Sequence, residues 1–288
     1  KWPLEHRSDN PGIWEGDMFL ANDPWVGAAH QQDVMLLCPV FWEAQLFCWV
    51  TNCLHQYDIG GITPGSFCPS ARDAFDEGIL IPPLKIVEGD TVRRDIEELY
   101  LRSSRKPASV ALDFAPQLAG NTTAPHRIHA LIRRYGADTV KAVMRRILDN
   151  GERAFLRKLA RLPDGIFRER TYVECCRPGD RSTYRVCLEV EKRGERLIFR
   201  NDGTAPQEGG MNATYSGWRG SMLVALNELM CWDQYFSVGG ALRHCEFDPT
   251  PGTLNCADFP ASVSTAPVQA MEISLYPAYN VLSKMIYS

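Results

Sequence analysis

Two His-x-x-Asp pairs stand in the first quarter of the chain, His30 with Asp33 and His55 with Asp58. Imidazole and carboxylate groups bind divalent transition metals and also transfer protons. One such pair alone usually makes a local hydrogen bond or a helix cap. Two pairs at the same end of two neighbouring elements would instead form a metal site, so the chain between them decides which interpretation is better.

That intervening chain predicts a β-hairpin. Residues 34–41 and 45–54 are rich in β-branched, aromatic and large apolar side chains, which is typical of strands. With the turn near residue 43, we expect position 33 to face position 53. Paired strands lie roughly 4.8 Å apart, so the first residues of one strand approach the last residues of the other.

The hairpin therefore predicts that His30, Asp33 and His55 meet at its open end. Two imidazoles and a carboxylate on one side of an ion leave its other positions free, as in catalytic rather than structural sites. Asp58 has three alternative roles: a fourth ligand, an orienting partner for a histidine, or a general base.

The residues around both pairs resemble the hydantoinase B/oxoprolinase family. Within that family, the variants at Trp25, Gln31, Gln56 and Tyr57 are most similar to the large, metal-bearing alpha subunit of acetone carboxylase and related ketone carboxylases. The matching stretches read Asn22-Asp23-Pro24-Trp25-x-Gly27-Ala28-x-His30-Gln31-x-Asp33 and His55-Gln56-Tyr57-Asp58-Ile59-Gly60-Gly61-Ile62-x-Pro64-Gly65.

The resemblance implies a metal and a reaction. The metal would be Mn²⁺, with Zn²⁺ or Fe²⁺ as alternatives, held by His30, Asp33 and His55. An ATP-dependent enzyme of this kind converts a ketone to its enol phosphate and bicarbonate to carboxyphosphate. It then joins the two carbon units into a 3-oxo acid, with the metal polarising and orienting oxyanions.

Several polar and aromatic residues are candidates for contact with the substrate. We expect Gln31, Gln56 and Tyr57 to face substrate oxygens and Asp58 to act as a catalytic residue. The substrate-binding candidates are Trp25, Trp218 and Arg219. Each of the aromatic residues is also a plausible core residue.

Length and composition bound the class of protein. The 288 residues are 45% hydrophobic and 23% charged, with a net charge of −4, which is an ordinary globular composition. No long basic run or span of about 20 apolar residues is present, so neither nucleic acid nor membrane is an expected partner.

Ten cysteines without zinc-ligand spacing predict a reducing cytoplasm. The early motif and the missing initial Met indicate a segment of a larger subunit.

The pattern of apolar residues predicts an α+β fold of mixed, largely antiparallel sheets with a helical insertion at about 95–162. We expect a β-rich metal-binding region at 1–94, a helical region at 95–165, and a β and loop region at 166–288. Pro125 suits the first position of a helix, and Asp138 suits the N-cap of the next one.

Two glycine-rich loops follow these elements. Residues 60–65 form either the rim of the metal site, where glycine lets the backbone approach a ligand, or a simple turn. Residues 209–220 lead into a predicted helix but match neither a P-loop nor a dinucleotide fingerprint. ATP is therefore expected to bind to another subunit of a hetero-oligomer.

Two other functions remain open at this stage. ATP-dependent hydrolysis of a cyclic amide, as in hydantoinases and 5-oxoprolinases, uses the same His, Asp and His pattern. A noncatalytic assembly subunit would instead carry a closed, structural metal. The carboxylase variants favour ketone carboxylation over the first, and free metal positions argue against the second.

Overall fold

A computed structural model describes residues 1–234 and 238–288. Its first half contains a five-stranded antiparallel sheet preceded by an α-helix at Trp2–His6 (α1) and a π-helical turn at Ser8–Gly12. The strands are β1 (Met18–Ala21), β2 (Asp33–Trp42), β3 (Gln45–His55), β4 (Leu84–Glu88) and β5 (Thr91–Val92). Their order across the sheet is β3-β2-β1-β4-β5, so β2 and β3 form one edge.

The predicted hairpin is confirmed, but its register differs from the expected one. Asp33 pairs with His55 rather than with residue 53. Glu43 and Ala44 make a two-residue turn with φ of 50° and 62°, a conformation that neither side chain indicates in the sequence. A bulge then leaves Phe47 of β3 unpaired, and together these features shift the open end by two positions.

Three helices follow the first sheet, α2 (Arg94–Arg102), α3 (Pro107–Tyr135) and α4 (Ala137–Leu159). The prediction that Pro125 begins a helix is wrong, because α3 runs continuously through it. Side-chain amides fasten α3 to the sheet: Gln117 donates to the Val34 carbonyl at 2.9 Å and Asn121 to the Leu36 carbonyl at 2.8 Å. Such tertiary contacts offset the hydrogen bond that proline removes.

The predicted N-cap of α4 is also wrong, because Gly136 occupies that position and Asp138 lies in the first turn. Gly136 ends α3 and begins α4 with φ of 84°, a value that favours glycine. Its N–H donates to the Ile132 carbonyl at 2.7 Å. Asp138 still carries a negative charge near the helix N-terminus, where it interacts favourably with the helix dipole.

The second half contains a four-stranded mixed sheet covered by helices. Three antiparallel strands, β6 (Gly165–Glu174), β7 (Thr183–Arg193) and β8 (Arg196–Arg200), are joined by the parallel strand β9 (Cys245–Phe247). The remaining helices are α5 (Tyr215–Met230), α6 (Val238–Ala241) and α7 (Ala270–Tyr287), with 3-10 turns at Leu242–His244 and Ala266–Val268.

The two largest of four hydrophobic clusters among the described residues organise these elements, and the α+β prediction is confirmed. The first core packs β1, β2 and β4 against α2 and α3. The second core packs β7 and β8 against α5 and α7, and Phe155 and Leu159 of α4 extend into it. The helices at 94–159 are therefore shared between the two cores.

Side-chain contacts join the two halves. The Thr214 hydroxyl donates to the Pro24 carbonyl at 2.9 Å, and the Trp25 indole donates to the Ala257 carbonyl at 3.1 Å. No helix within residues 1–234 and 238–288 is long and apolar enough to cross a membrane. The ten cysteines are all unpaired thiols.

A fully buried ion pair fixes the central strands of the first sheet. Lys85 of β4 approaches Asp17, just before β1, with 2.7 Å between Nζ and Oδ2. The same carboxylate accepts backbone hydrogen bonds from Trp14 and Gly89. Each charge is therefore compensated without water, and removal of one partner would leave the other buried and uncompensated.

We expect Lys85→Ala to lower the free energy of unfolding by about 3–5 kcal/mol, the usual cost of breaking a buried pair. Urea denaturation followed by circular dichroism measures this loss. Arg93→Ala, which breaks the exposed pair of Arg93 with Asp95, should cost less than about 1 kcal/mol. Equal losses in the two variants would contradict a structural role for the buried pair.

Candidate metal centre

The structure brings His30, Asp33 and His55 together at the open end of the β2–β3 hairpin. Asp33 and His55 are direct cross-strand partners, so their side chains share one face of the sheet. His30 reaches the same point from the loop before β2, and its Nε2 lies 3.5 Å from Asp33 Oδ2. One donor atom from each of the three residues lies within 4.8 Å of the others.

A backbone carbonyl fixes the orientation of His30. Nδ1 of His30 lies 2.9 Å from the Ser264 carbonyl oxygen, which can only accept a hydrogen bond, so Nδ1 carries the proton. The Nε2 lone pair then faces Asp33 and His55. His30 is 0% exposed and its Nε2 has no hydrogen-bond partner among the described residues. Such a buried, unpartnered nitrogen fits a metal ligand.

The electrostatics of His55 suit the same role. Loss of hydration lowers the pKa of His55, and the adjacent His30 lowers it further. Both effects favour the neutral imidazole, which is the form that binds metals. Two imidazole nitrogens and one carboxylate oxygen suit Mn²⁺, Fe²⁺ and Zn²⁺ alike. Within residues 1–234 and 238–288 no fourth His, Cys, Asp or Glu joins the cluster, so a bound ion would keep open positions.

Phe67 covers the two imidazoles. Its ring stacks against His30 at 5.8 Å between centroids and lies tilted against His55 at 6.1 Å. The Phe67 side chain is 37% exposed, so one part of it lies against the imidazoles and another part faces solvent, and His55 itself is exposed. Sequence reasoning missed Phe67, because only the fold of the loop after Asp58 brings it back over the ligands.

Asp58 lies outside the three-residue cluster and anchors that loop. Its carboxylate accepts hydrogen bonds from the N–H groups of Gly60 and Gly65 at 3.1 Å each and from that of Arg105 at 2.9 Å. The Arg105 guanidinium also pairs with it at 3.0 Å and donates to the Gly60 carbonyl. The predicted rim loop is therefore tied down at its base by one buried carboxylate.

These contacts set the protonation of Asp58. Burial acts to raise its pKa, but hydrogen bonds from Arg105, Gly65 and Gly60 outweigh burial and lower that pKa below its usual value. The carboxylate is thus held ionised and hydrogen-bonded. A catalytic role for Asp58 stays a prediction, whereas its structural role follows from these contacts.

The predicted polar residues lie at different depths. Gln31 and Gln56 are fully buried, and Tyr57 is 60% exposed. Gln31 donates to the Ala74 carbonyl at 2.9 Å and has a buried, unpartnered Oε1. Neither amide atom of Gln56 has a partner in the described part of the chain. Two buried amides flanking the ligands therefore retain free hydrogen-bonding capacity.

Of the three predicted substrate contacts Trp25, Trp218 and Arg219, Trp25 lies at a second feature, a cavity at the start of α5. Trp25 lines this cavity of ≈ 360 Å³ together with Tyr215 and Phe247. Trp218 is fully enclosed in the second core and meets Phe247 edge-on at 6.2 Å, an environment that matches the core alternative. The Arg219 guanidinium lies over the Phe247 ring at 5.3 Å.

Glu77 is a buried carboxylate that sequence reasoning did not single out. Its Oε1 accepts hydrogen bonds from the hydroxyl of Ser262 and the N–H groups of Val263 and Ser264. Burial raises the pKa of Glu77 to about 7, although those hydrogen bonds act against it. The only sequence signal was its place in the acidic pair Asp76-Glu77 directly before Gly78.

These features define an α+β protein with a His, Asp and His cluster at the open end of an edge hairpin. The chain belongs to the hydantoinase B/oxoprolinase family, whose sequence profile matches residues 1–286. It is 29% identical over 208 residues to the acetophenone carboxylase delta subunit of Aromatoleum aromaticum. That alignment covers 72% of this chain and 30% of the subunit.

Two solved structures share the fold. The ATP-dependent caprolactamase from Pseudomonas jessenii matches with a TM-score of 0.87 and 26% identity, over 98% of this chain and 49% of that one. A nucleotide-free acetone carboxylase matches with a TM-score of 0.89 and 20% identity, over 100% of this chain and 39% of that one. The predicted family is confirmed, and the chain spans less than half the length of these relatives.

We expect His55→Ala to remove the bound metal and to leave the fold largely intact, because His55 lies at the exposed end of β3. Elemental analysis of the purified protein, with circular dichroism as the fold check, measures both effects. His126→Ala removes an exposed histidine outside the cluster and should keep the wild-type metal content. One tightly bound ion per chain in the His55 variant would refute the assignment.

We expect Asp58→Asn to lower the free energy of unfolding by about 1–3 kcal/mol at pH 7, because the amide leaves buried donors unsatisfied. The pKa of Asp58 is lower in the folded state. Its contribution is therefore fully present above the unfolded value of about 3.9 and is lost as pH falls through the folded value.

Urea denaturation of wild type and variant across this pH range tests the sign. The stability difference should shrink as the solution becomes more acidic. Asp9→Asn, at an exposed position, serves as the control and should change stability little at any pH. A difference that stays constant or grows towards low pH would show that Asp58 does not stabilise the loop through its charge.

Proposed function

We propose that this chain carries the metal centre of an ATP-dependent enzyme that carboxylates a ketone to a 3-oxo acid. The observation that carries the proposal is the cluster of His30, Asp33 and His55, with a buried, unpartnered Nε2 on His30. The 29% identity to an acetophenone carboxylase subunit supports the carboxylase reaction. The carboxylase-like variants at Trp25, Gln31, Gln56 and Tyr57 support it further.

The three cluster residues would hold one divalent ion. The resemblance to the metal-bearing subunits of ketone carboxylases favours Mn²⁺. Zn²⁺ and Fe²⁺ are alternatives, because two nitrogen donors and one oxygen donor accept all three ions. When bound, the ion supplies Lewis-acid polarisation and charge compensation for substrate oxyanions. Asp33 offsets part of the ion's charge, and the Ser264 carbonyl keeps His30 in the tautomer that presents Nε2.

The neighbouring side chains supply binding and exclusion of water. Gln56 has an unpartnered buried Nε2 that would donate a hydrogen bond to a carboxyl or enolate oxygen. The unpartnered Oε1 of Gln31 can only accept a hydrogen bond and would face a donor group of the substrate. Phe67 covers the histidine rings and would limit the access of water. Exclusion of water matters in this chemistry because carboxyphosphate hydrolyses readily in water. Tyr57, at the exposed rim, would contact the incoming substrate.

The atoms of the reaction balance with ATP as the phosphoryl donor. One phosphoryl group converts the ketone to its enol phosphate, and another converts bicarbonate to carboxyphosphate. The enol carbon then forms a bond to the carboxyl carbon as the bond from that carbon to the phosphate oxygen breaks and releases one phosphate. One water takes the phosphoryl group from the enol oxygen, which releases the second phosphate and restores the ketone carbonyl. Trp25 and Arg219, beside the cavity at the start of α5, are the residues we assign to the apolar and anionic parts of the substrate.

Nucleotide binding is assigned to another part of the enzyme. The sequence has no phosphate-cradling Gly-x-x-x-x-Gly-Lys motif, and relatives of the chain are named as subunits. We therefore propose a hetero-oligomer in which a partner carries out the phosphoryl transfers. Ten unpaired thiols are consistent with function in a reducing cytoplasm.

A second candidate function is ATP-dependent hydrolysis of a cyclic amide. The structural match to caprolactamase, at 26% identity over 98% of the chain, favours it specifically. The same metal cluster would then polarise a lactam carbonyl or its phosphorylated form. A noncatalytic subunit with a structural metal has less support, because three ligands do not close a coordination shell.

The intact complex, purified with its partner subunits, distinguishes these functions. It is supplied with ATP, Mn²⁺ and labelled bicarbonate, and with either acetone and acetophenone or hydantoin, 5-oxoproline and caprolactam. We expect label in a 3-oxo acid formed from a ketone. The His30→Ala complex should lose at least roughly 100-fold in rate, the scale of losing a main electrostatic stabiliser.

Control arms identify where each activity lies. This chain without its partners should hydrolyse no ATP, and the His126→Ala complex should carboxylate at the wild-type rate. Ring opening of a cyclic amide, with no label incorporated from bicarbonate into any ketone, would show that the enzyme is a cyclic-amide hydrolase. Carboxylation at the wild-type rate by the His30→Ala complex would show that the metal cluster takes no part in the reaction.

A further inference from the structure

The buried carboxylate of Glu77 connects two segments that are distant in sequence. Glu77 is 1% exposed. Its Oε1 lies 2.5 Å from the Ser262 hydroxyl, 2.5 Å from the Val263 nitrogen and 2.9 Å from the Ser264 nitrogen. Three donors on one carboxylate oxygen fix the backbone of residues 262–264 against the first half of the chain.

Ser264 then acts on the metal centre in two ways. Its carbonyl oxygen accepts from Nδ1 of His30 at 2.9 Å. Its hydroxyl oxygen accepts from the N–H of Cys68 at 2.6 Å, and Phe67 precedes Cys68. One residue therefore holds both the His30 imidazole and the loop that places Phe67 over it.

The backbone around Glu77 is also confined on its other side. A Cβ atom added at Gly61 would lie 2.7 Å from the carbonyl oxygen of Glu77, so the rim loop packs directly on this residue. Glu77 is thus held between the rim loop and residues 262–264. The position of its carboxylate is set by backbone packing and not by a flexible surface loop.

We infer that Glu77 is a positioning residue that fixes the tautomer and placement of His30 through the Ser264 carbonyl. Its side chain orders residues 262–264, the ordered carbonyl holds the proton on Nδ1, and Nε2 is presented to the cluster. All three donors to the Glu77 carboxylate belong to residues 262–264, the segment that carries the Ser264 carbonyl. The inference rests on the metal centre of the proposed function but not on which reaction occurs there.

Metal binding by the purified protein tests this role. Glu77→Ala removes all three acceptor contacts, so we expect the dissociation constant for Mn²⁺ to rise about 10–100-fold, as for other residues that orient ligands. Glu77→Gln keeps an acceptor oxygen at the same place and should bind Mn²⁺ nearly as wild type does. Equilibrium dialysis with electron paramagnetic resonance of free Mn²⁺ measures these constants.

A spectroscopic readout separates positioning from loss of structure. In the Co²⁺-substituted protein, the visible absorption bands report ligand geometry, and they should change in Glu77→Ala and be restored in Glu77→Gln. Asp76→Asn, whose side chain pairs with the exposed Arg72, is the matched neighbouring control and should behave as wild type. Circular dichroism verifies that each variant is folded.

Each possible result either supports or overturns the positioning role of Glu77. Recovery in Glu77→Gln together with loss in Glu77→Ala supports the inference. Unchanged Mn²⁺ affinity in Glu77→Ala overturns it, as does an equal loss in both variants. A wild-type protein that binds no divalent ion overturns both the metal centre and this role. An intact complex that binds Mn²⁺ but fixes no carbon from any ketone overturns ketone carboxylation while the role of Glu77 stands.

Discussion

The hydrogen bond between Nδ1 of His30 and the Ser264 carbonyl is the constraint on which the site depends. It spans 234 positions of sequence and joins the first sheet to the segment before α7. A fully buried imidazole without this partner would lose its hydration without compensation. With the partner, only Nε2 remains free, so the same contact that links the two halves also defines the direction in which His30 can bind a ligand.

The loop after His55 is likewise held by the side chains of only a few residues. A glycine-rich loop cannot satisfy its own backbone groups, and buried N–H groups must find acceptors. Asp58 provides them for Gly60 and Gly65, while Arg105 caps carbonyl oxygens of the same loop. Because α3 begins just after Arg105, the loop is tied to the helix that packs on the hairpin. The position of Phe67 therefore depends on the first core as well as on Ser264.

Local patterns predicted the hairpin because its signal is contained in some twenty residues of alternating and continuous apolar character. The cluster of His30, Asp33 and His55 followed from that hairpin because all three residues lie at its open end. This held even though the predicted strand register was wrong by two residues. The register itself depended on positive φ at Glu43 and Ala44 and on the bulge at Phe47. Side-chain types at those positions do not indicate either feature.

Local sequence patterns could not predict the contacts between residues that are distant in the chain, and the reason is physical. The partners of Glu77 lie about 185 residues away, and no spacing rule relates residues that meet only after both sheets have formed. The continuity of α3 through Pro125 has the same origin. Gln117 and Asn121 gain sheet carbonyls as partners, and these contacts outweigh a local preference that is worth only a few kcal/mol.

Buried polar atoms without a hydrogen-bond partner lower the stability of the protein, so function explains their presence near the cluster better than stability does. Such atoms belong to five buried residues of the site: His30, Gln31, Gln32, Gln56 and Glu77. Each costs about 1–3 kcal/mol when left without a partner, and apolar side chains of similar volume would remove that cost. In the chain, Gln31 and Gln32 lie between His30 and Asp33, and Gln56 directly follows His55. A polar ligand, an ion or a buried water would supply the missing partners, so these atoms support a binding function when they are taken together with the three metal-type ligands.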